Sequence, residues 1–234
     1  MDTALRVLAL LPWDDWLALV WFFLMWGGYA AFARRRGQSD GSLLELSNRI
    51  RRRWMAQATR RENRVLDAIV IQNLSSSTAF FASTTILIIG GLIAALGAGE
   101  QTAEMVRELP FAARTSEGVF DLKLMLLTGI FVHAFFRFTW SMRQYSFVSL
   151  LVAALAERED IHDDADRERF ASQAGTVAAL AAESFNDGLR AYYLSFAAVS
   201  WFLSPLAFAV GTAGVVYVLY QREFRSTVVG VLRG

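Results

Sequence analysis

Apolar positions along the chain gather into four long runs separated by polar stretches. The first, residues 16–33, is about long enough at ~1.5 Å per residue to cross a hydrocarbon core of ~30 Å. Trp13 and Trp16 beside Asp14 and Asp15 fit an interfacial belt at its start. The second run is placed at 78–98, behind a helical extension that begins at Asn63. The third spans 122–141, and nothing breaks its helical pattern before Ala156, so a rod of roughly 20 Å projects beyond the membrane. A polar, mostly acidic linker follows at 157–169, and then Phe170, Ala174, Val177, Ala181 and Phe185 recur at helical spacing. That spacing predicts a helix packed on the rod. Asn186-Asp187-Gly188 predicts a break, with Asp187 capping a fourth span at 190–220 that kinks at Pro205.

Charge orients these runs. The net charge of +1 averages two opposite loops. Residues 34–64 carry ten arginines against Asp40, Glu45 and Glu62, whereas residues 99–121 carry Glu100, Glu104, Glu108, Glu117 and Asp121 against Arg107 and Arg114. Arginine is retained on the cytoplasmic side, so the basic loop 34–64 and the helical extension 142–188 are expected inside, and the N-terminus and the acidic loop outside. An even number of spans puts the C-terminus outside, against the sign of Arg222, Arg225 and Arg233. No basic region precedes the first run and no small-residue cleavage site follows it, which predicts an uncleaved span rather than a signal peptide. Within the basic loop, Leu43, Leu46, Ile50 and Trp54 are spaced by three or four. They predict an amphipathic helix on the inner leaflet, with anionic lipids as partners and no nucleic acid. The whole reads as one membrane domain, 1–234: an all-α, polytopic membrane protein with four transmembrane helices and a cytoplasmic helical extension, multi-pass in the cell membrane and, in a bacterium, in its inner membrane.

Candidate chemistry is sparse. The chain has no cysteine, hence no thiolate metal site or cysteine nucleophile, and it shows no phosphate loop, zinc-helix motif or Gly-x-Ser-x-Gly elbow. Neither an enzymatic activity, a cofactor nor a resident metal is expected. The run Asp160, His162, Asp163, Asp164, Asp166 and Glu168 has Ala165 and Ala171 where an EF-hand needs glycine and glutamate. His133 and Arg137 share a face of the third span at i and i+4, and an ionisable group there is costly enough to ask for a reason. Arg137 lies level with Ser83, Thr84 and Thr85, whose hydroxyls can accept from its guanidinium or line a hydrated path with it; the alternative is a side chain that snorkels to the headgroups. His133 fits a proton relay or a neutral hydrogen bond between helices. Haem is disfavoured because no second intramembrane histidine exists to form an axial pair.

A second constellation falls at the inner boundary: Arg64, Asp67, Gln72 and Asn73 on the second helix, Arg143 and Gln144 on the third, Asp187 and Arg190 on the fourth. It suits an ion vestibule, a lipid-headgroup site or a salt-bridge lock. Tyr192 and Tyr193 fit the aromatic belt. Along the second span, Asn73, Ser77, Phe80, Thr84, Leu87, Gly91, Ala94 and Ala98 make a stripe of small and polar residues, and the pairs Gly90/Ala94 and Gly91/Ala95 permit close helix packing. This stripe leads to a homo-oligomeric ion channel or channel-like transporter with its polar path along the second span. The alternative is a non-transporting scaffold or accessory subunit of a larger complex.

Three blocks in order, Asn63-Arg64-Val65-Leu66-Asp67 with Ala79-Phe80-Phe81-Ala82-Ser83-Thr84-Thr85, then Phe136-Arg137-Phe138-Thr139-Trp140-Ser141-Met142-Arg143-Gln144-Tyr145, then Gly188-Leu189-Arg190-Ala191-Tyr192-Tyr193, resemble a bacterial and plant membrane family catalogued as domain of unknown function 599. The resemblance covers most of the chain. It implies a helical membrane fold and brings no activity with it.

Overall fold

The structure, a computed structural model, describes residues 11–37, 42–98, 117–156 and 163–233. Every regular element among them is a helix: α1 (Trp13–Gly37), α2 (Leu43–Ala58), α3 (Val65–Gly97), α4 (Glu117–Ala153), α5 (Asp164–Ser200), α6 (Pro205–Phe224) and α7 (Thr227–Arg233). Three of these, over Trp13–Arg36, Val65–Gly97 and Gly118–Ala153, are long and apolar enough to cross a membrane. The acidic loop 99–116 and the residues Asp160 and His162 lie outside the described residues.

The chain divides into two compact units. One holds the described residues of Met1–Arg35, together with Thr85–His133 and Arg190–Gln221, and its core is the fourth apolar run in an unexpected form. Instead of one kinked span, that run is a helical hairpin: the end of α5, a turn at 201–204, and α6. Pro205 explains the turn. It has no N–H, so the carbonyl of Trp201, four residues back, cannot find its helical donor. The N–H groups of Trp201, Phe202 and Leu203 bond three residues back instead, to Ala198, Val199 and Ser200, which tightens the end of α5. Ser204 then caps α6, its Oγ accepting from Ala207 N at 3.0 Å, with Pro205 at the first helical position.

The arms run antiparallel. Ser200 Oγ donates within reach of Ala207 O, at 3.0 Å; a side chain at Gly211 would start 2.8 Å from Ser200 Oγ and 3.7 Å from Ala197 Cα; and Tyr193 packs with Val215, Val216 and Leu219. Ala191, Leu194, Ala197, Ala198, Trp201, Phe208 and Thr212 are almost fully buried. The surrounding helices supply the walls: Phe22 of α1 meets Phe208, Phe131 of α4 meets Tyr192, and Phe120 of α4 meets Phe202. An arm enclosed by protein can be built from alanine and serine, which lower its hydropathy while permitting close approach.

The other unit holds Arg36–Thr84, Ala134–Leu189 and Arg222–Gly234. Ala171, Ala174, Ala178 and Ala181 of α5 enter one core with Tyr145, Val148 and Val152 of α4, Met55 of α2 and Ile71 of α3. The expected packing of the helix after the linker on the rod is this cluster. The expected break at 186–188 is absent, since α5 runs straight through it. Gly188 is there for a different reason: a Cβ on it would fall 2.5 Å from Cε1 of Phe138. That ring is fully buried and meets Phe81 and Phe185 at 5.4 and 5.6 Å.

Helix α2 forms as expected, started by Ser42, whose Oγ accepts from Glu45 N at 3.0 Å. Its predicted apolar stripe is split, however. Leu46 is buried and Ile50 half exposed, while Trp54 turns its indole N–H to a carboxylate. Asn48, Met55, Ala58 and Thr59 make up the rest of the buried surface. At the start of α2, Glu223 accepts from Leu44 N at 3.3 Å, a negative charge at a helix N-terminus, and α7 packs on α2. The C-terminal segment therefore belongs with the arginine loop, in agreement with its own arginines and against the sequence-based placement on the opposite side.

Candidate functional site

Several of the polar residues read from the sequence are engaged by near neighbours. Asp67 is fully buried, and its Oδ1 accepts from Trp54 Nε1 at 2.6 Å and from Arg61, which replaces the mixed-charge cluster with a local lock between α2 and α3. Arg64 spreads its fork over the carbonyls of Leu155 and Ala156, at 2.7 and 2.6 Å, and so ties down the segment just past the end of α4. Arg137 finds a partner on another helix, pairing with Asp187 of α5. Thr84 Oγ1 bonds its own helix at Phe80 O, and Thr85 shares a 2.7 Å hydrogen bond with Tyr192, giving that tyrosine a partner beyond an aromatic belt. Asp187 is thus an ion-pair residue in mid-helix and not a cap.

Gln144 is buried; with its amide turned so that nitrogen faces acceptors, it donates to Leu180 O and Ser184 Oγ and accepts from Trp140 Nε1. Arg143 is exposed over Phe147 of its own helix, and Arg190 lies over Tyr29. Gln72, Asn73 and Ser83 are exposed on α3, Gln72 donating to Ser76 and Asn73 O accepting from Ser77. His133 stands edge-on to Trp26 with ring centres 5.5 Å apart, at an exposed position. Gly90, Gly91 and Ala94 are exposed too, and among the described residues nothing beyond the helix's own backbone lies within 4 Å of where a Cβ at either glycine would be. Ala95 separates from them and packs with Leu92 and Leu96 against Phe120 and Leu124.

The densest buried charge is one the sequence reading passed over. Lys123, the only lysine in the chain, is 1% exposed. Its Nζ donates to Trp201 O at 2.9 Å, supplying the donor that Pro205 lacks, and stands 5.5 and 5.9 Å from the ring centres of Trp201 and Phe202. The Trp201 indole donates in turn to Asp15 Oδ1 at 2.5 Å. Asp15 is itself buried and is the carboxylate that acts on the lysine's charge. A cation, a carboxylate and the bend of a broken helix thus meet at one point, the kind of place where discontinuous helices hold ions or anionic groups. A lone lysine among 23 cations was the available signal. It was masked by its position one residue inside a predicted span.

Outside the spans, Arg51 also turns inward and donates to Asn48 Oδ1 at 2.9 Å. Burial lowers its pKa from the ordinary arginine value, against the opposing pull of Tyr145 and Glu183.

An all-helical chain with three helices of membrane-crossing length and apolarity, enclosing a buried lysine at a helical hairpin, has the make-up of a helical membrane protein. The family model described as "Protein of unknown function, DUF599" matches residues 17–228, and the chain belongs to that family. No curated protein and no solved structure matches it.

Proposed function

We propose that several copies of this protein assemble in a membrane as an ion channel or channel-like transporter, with the polar face of α3 turned toward neighbouring copies. One observation carries this reading: on a helix of membrane length, Gln72, Asn73, Ser76, Ser77, Ser83, Gly90, Gly91 and Ala94 are exposed in the single chain, with the exposed Phe80 and Leu87 set among them. A face of small and polar groups gains little from lipid and packs well against another helix. The buried Lys123–Trp201–Asp15 group then fixes the hairpin that the helices surround. The second reading, a scaffold without transport, is favoured by the way Arg137 and Asp67 are each engaged by protein groups. The cell membrane is the proposed location, and no enzymatic role is proposed.

Gly91→Leu separates assembly from folding, because a Cβ there would open onto free space among the described residues. The variant is expected to keep the wild-type melting temperature in detergent while shifting to a smaller species in light scattering, and to lose ion flux in proteoliposomes. A wild-type protein that is monomeric in lipid and passes no ions leaves the scaffold standing.

With the hairpin counted as two crossings, the proposed topology has five, with the arginine loop and the C-terminus inside and Trp13 and Ala98 outside. The cysteine-free chain lends itself to labelling at exposed positions. An impermeant thiol reagent on intact cells is expected to modify Ala98→Cys and to spare Gln57→Cys and Thr227→Cys. Modification of Thr227→Cys but not Gln57→Cys would restore the four-span topology.

A further inference from the structure

We infer that α2, with α7 beside it, is a docking surface for the phosphate headgroups of anionic phospholipids. The inference rests on the membrane reading above and adds a lipid class and the residues that recognise it.

The arginines of the basic loop are not equivalent. Arg51, Arg61 and Arg64 are committed to Asn48, Asp67 and the carbonyls beyond α4. Arg52, Arg53 and Arg60 are exposed. At 100° per residue, Arg49, Ile50, Arg53 and Gln57 fall within about one quadrant of α2, Arg60 follows in the turn that ends it, and all five are exposed. The opposite side carries the buried Asn48, Met55, Ala58 and Thr59. The nearest acid on the helix, Glu45, is bonded to Arg49.

The outward quadrant is not purely ionic. Ile50 is 50% exposed at one edge of it, and α7 presents Val228 and Val231 at 53% and 75% while burying Val229. Exposed aliphatics among cations are wasted on nucleic acid or an acidic protein loop. They suit the boundary between headgroups and acyl chains, where guanidinium forks grip phosphate oxygens and short apolar side chains dip below them.

The test uses the full-length protein in detergent micelles supplemented with phosphatidylcholine or phosphatidylglycerol, and in vesicles of the two lipids mixed. Phosphatidylglycerol is expected to raise the melting temperature of the wild type and to be enriched in the lipid that co-purifies with it. The Arg49→Gln, Arg53→Gln, Arg60→Gln variant is expected to melt like wild type in phosphatidylcholine and to lose the enrichment by about tenfold or more, since each cation near an anionic surface contributes severalfold. Ile50→Asn with Val231→Asn should weaken the preference as well. Retention of the full preference by the triple variant overturns the proposal, as does equal stabilisation of the wild type by soluble glycerol phosphate or by duplex DNA. Loss of stability by the triple variant in phosphatidylcholine alone also overturns it, because the arginines would then be structural. Protein that fails to float with vesicles of either composition defeats the membrane reading itself and is distinguishable from all of these.

Discussion

Lys123→Met is expected to destabilise the protein by about 3–5 kcal/mol, the cost of removing one partner from a buried charge pair. The methionine fills nearly the same space, so the loss is electrostatic. The Trp201 carbonyl is left without any donor, because Pro205 cannot supply one, and Asp15 is left buried without its cation. Unfolding in detergent followed by the fluorescence of the tryptophans measures the effect. Adding Asp15→Asn to the variant removes the uncompensated charge and keeps an oxygen for the Trp201 indole, so the double variant is expected to recover part of the loss. A Lys123→Met protein that melts with the wild type would mean that the lysine plays no part in holding the hairpin.

Gly188→Ala is expected to cost about 1–3 kcal/mol through overpacking, although glycine to alanine within a helix ordinarily gains up to about 1 kcal/mol. The sign of the change therefore decides between two accounts of the same residue. If Gly188 ended a helix, alanine would disturb a turn; in the structure it lies inside α5 and makes room for the Phe138 ring, which Phe81 and Phe185 hold in place. Combining Gly188→Ala with Phe138→Leu should bring less than additive destabilisation, because the smaller side chain yields the space. Thermal melts of the four proteins form the cycle that measures it. Strict additivity would show that the two residues do not meet.

The helical class and the reach of α2, α3 and α4 were legible in the sequence because their signals are local: apolar periodicity, and no proline or glycine pair to stop the rod. The hairpin was legible only in part. Pro205 announced a disturbance, but whether a helix bends or folds back depends on what fills the space beside it, and that is a long-range matter. Small residues such as Ala191, Ala197 and Ala198 dilute hydropathy while marking the most enclosed helix. Site residues fared according to the same division. Arg137 in a span asks for a reason, and the structure pairs it with Asp187, which the neighbouring asparagine and glycine mark as a cap in the sequence. Arg64 and Asp67 were found and grouped, but a cluster assembled by height in a membrane has no azimuth. The same residues turn to different neighbours once the helices are rotated into place.

The bond from Trp201 to Asp15 joins residues 186 positions apart, and that separation bears on how the protein is made. At roughly 5–20 residues per second, a ribosome needs on the order of ten to forty seconds after placing Asp15 before its partner exists. Throughout that interval α1 carries a carboxylate whose final hydrogen-bond donor is still unsynthesised, as is the lysine that offsets its charge for the first half or more of it. The first helix must therefore wait at the water-facing edge of the bilayer or in the care of the insertion machinery, and arrest of translation between α4 and the hairpin should leave it open to extraction and proteolysis.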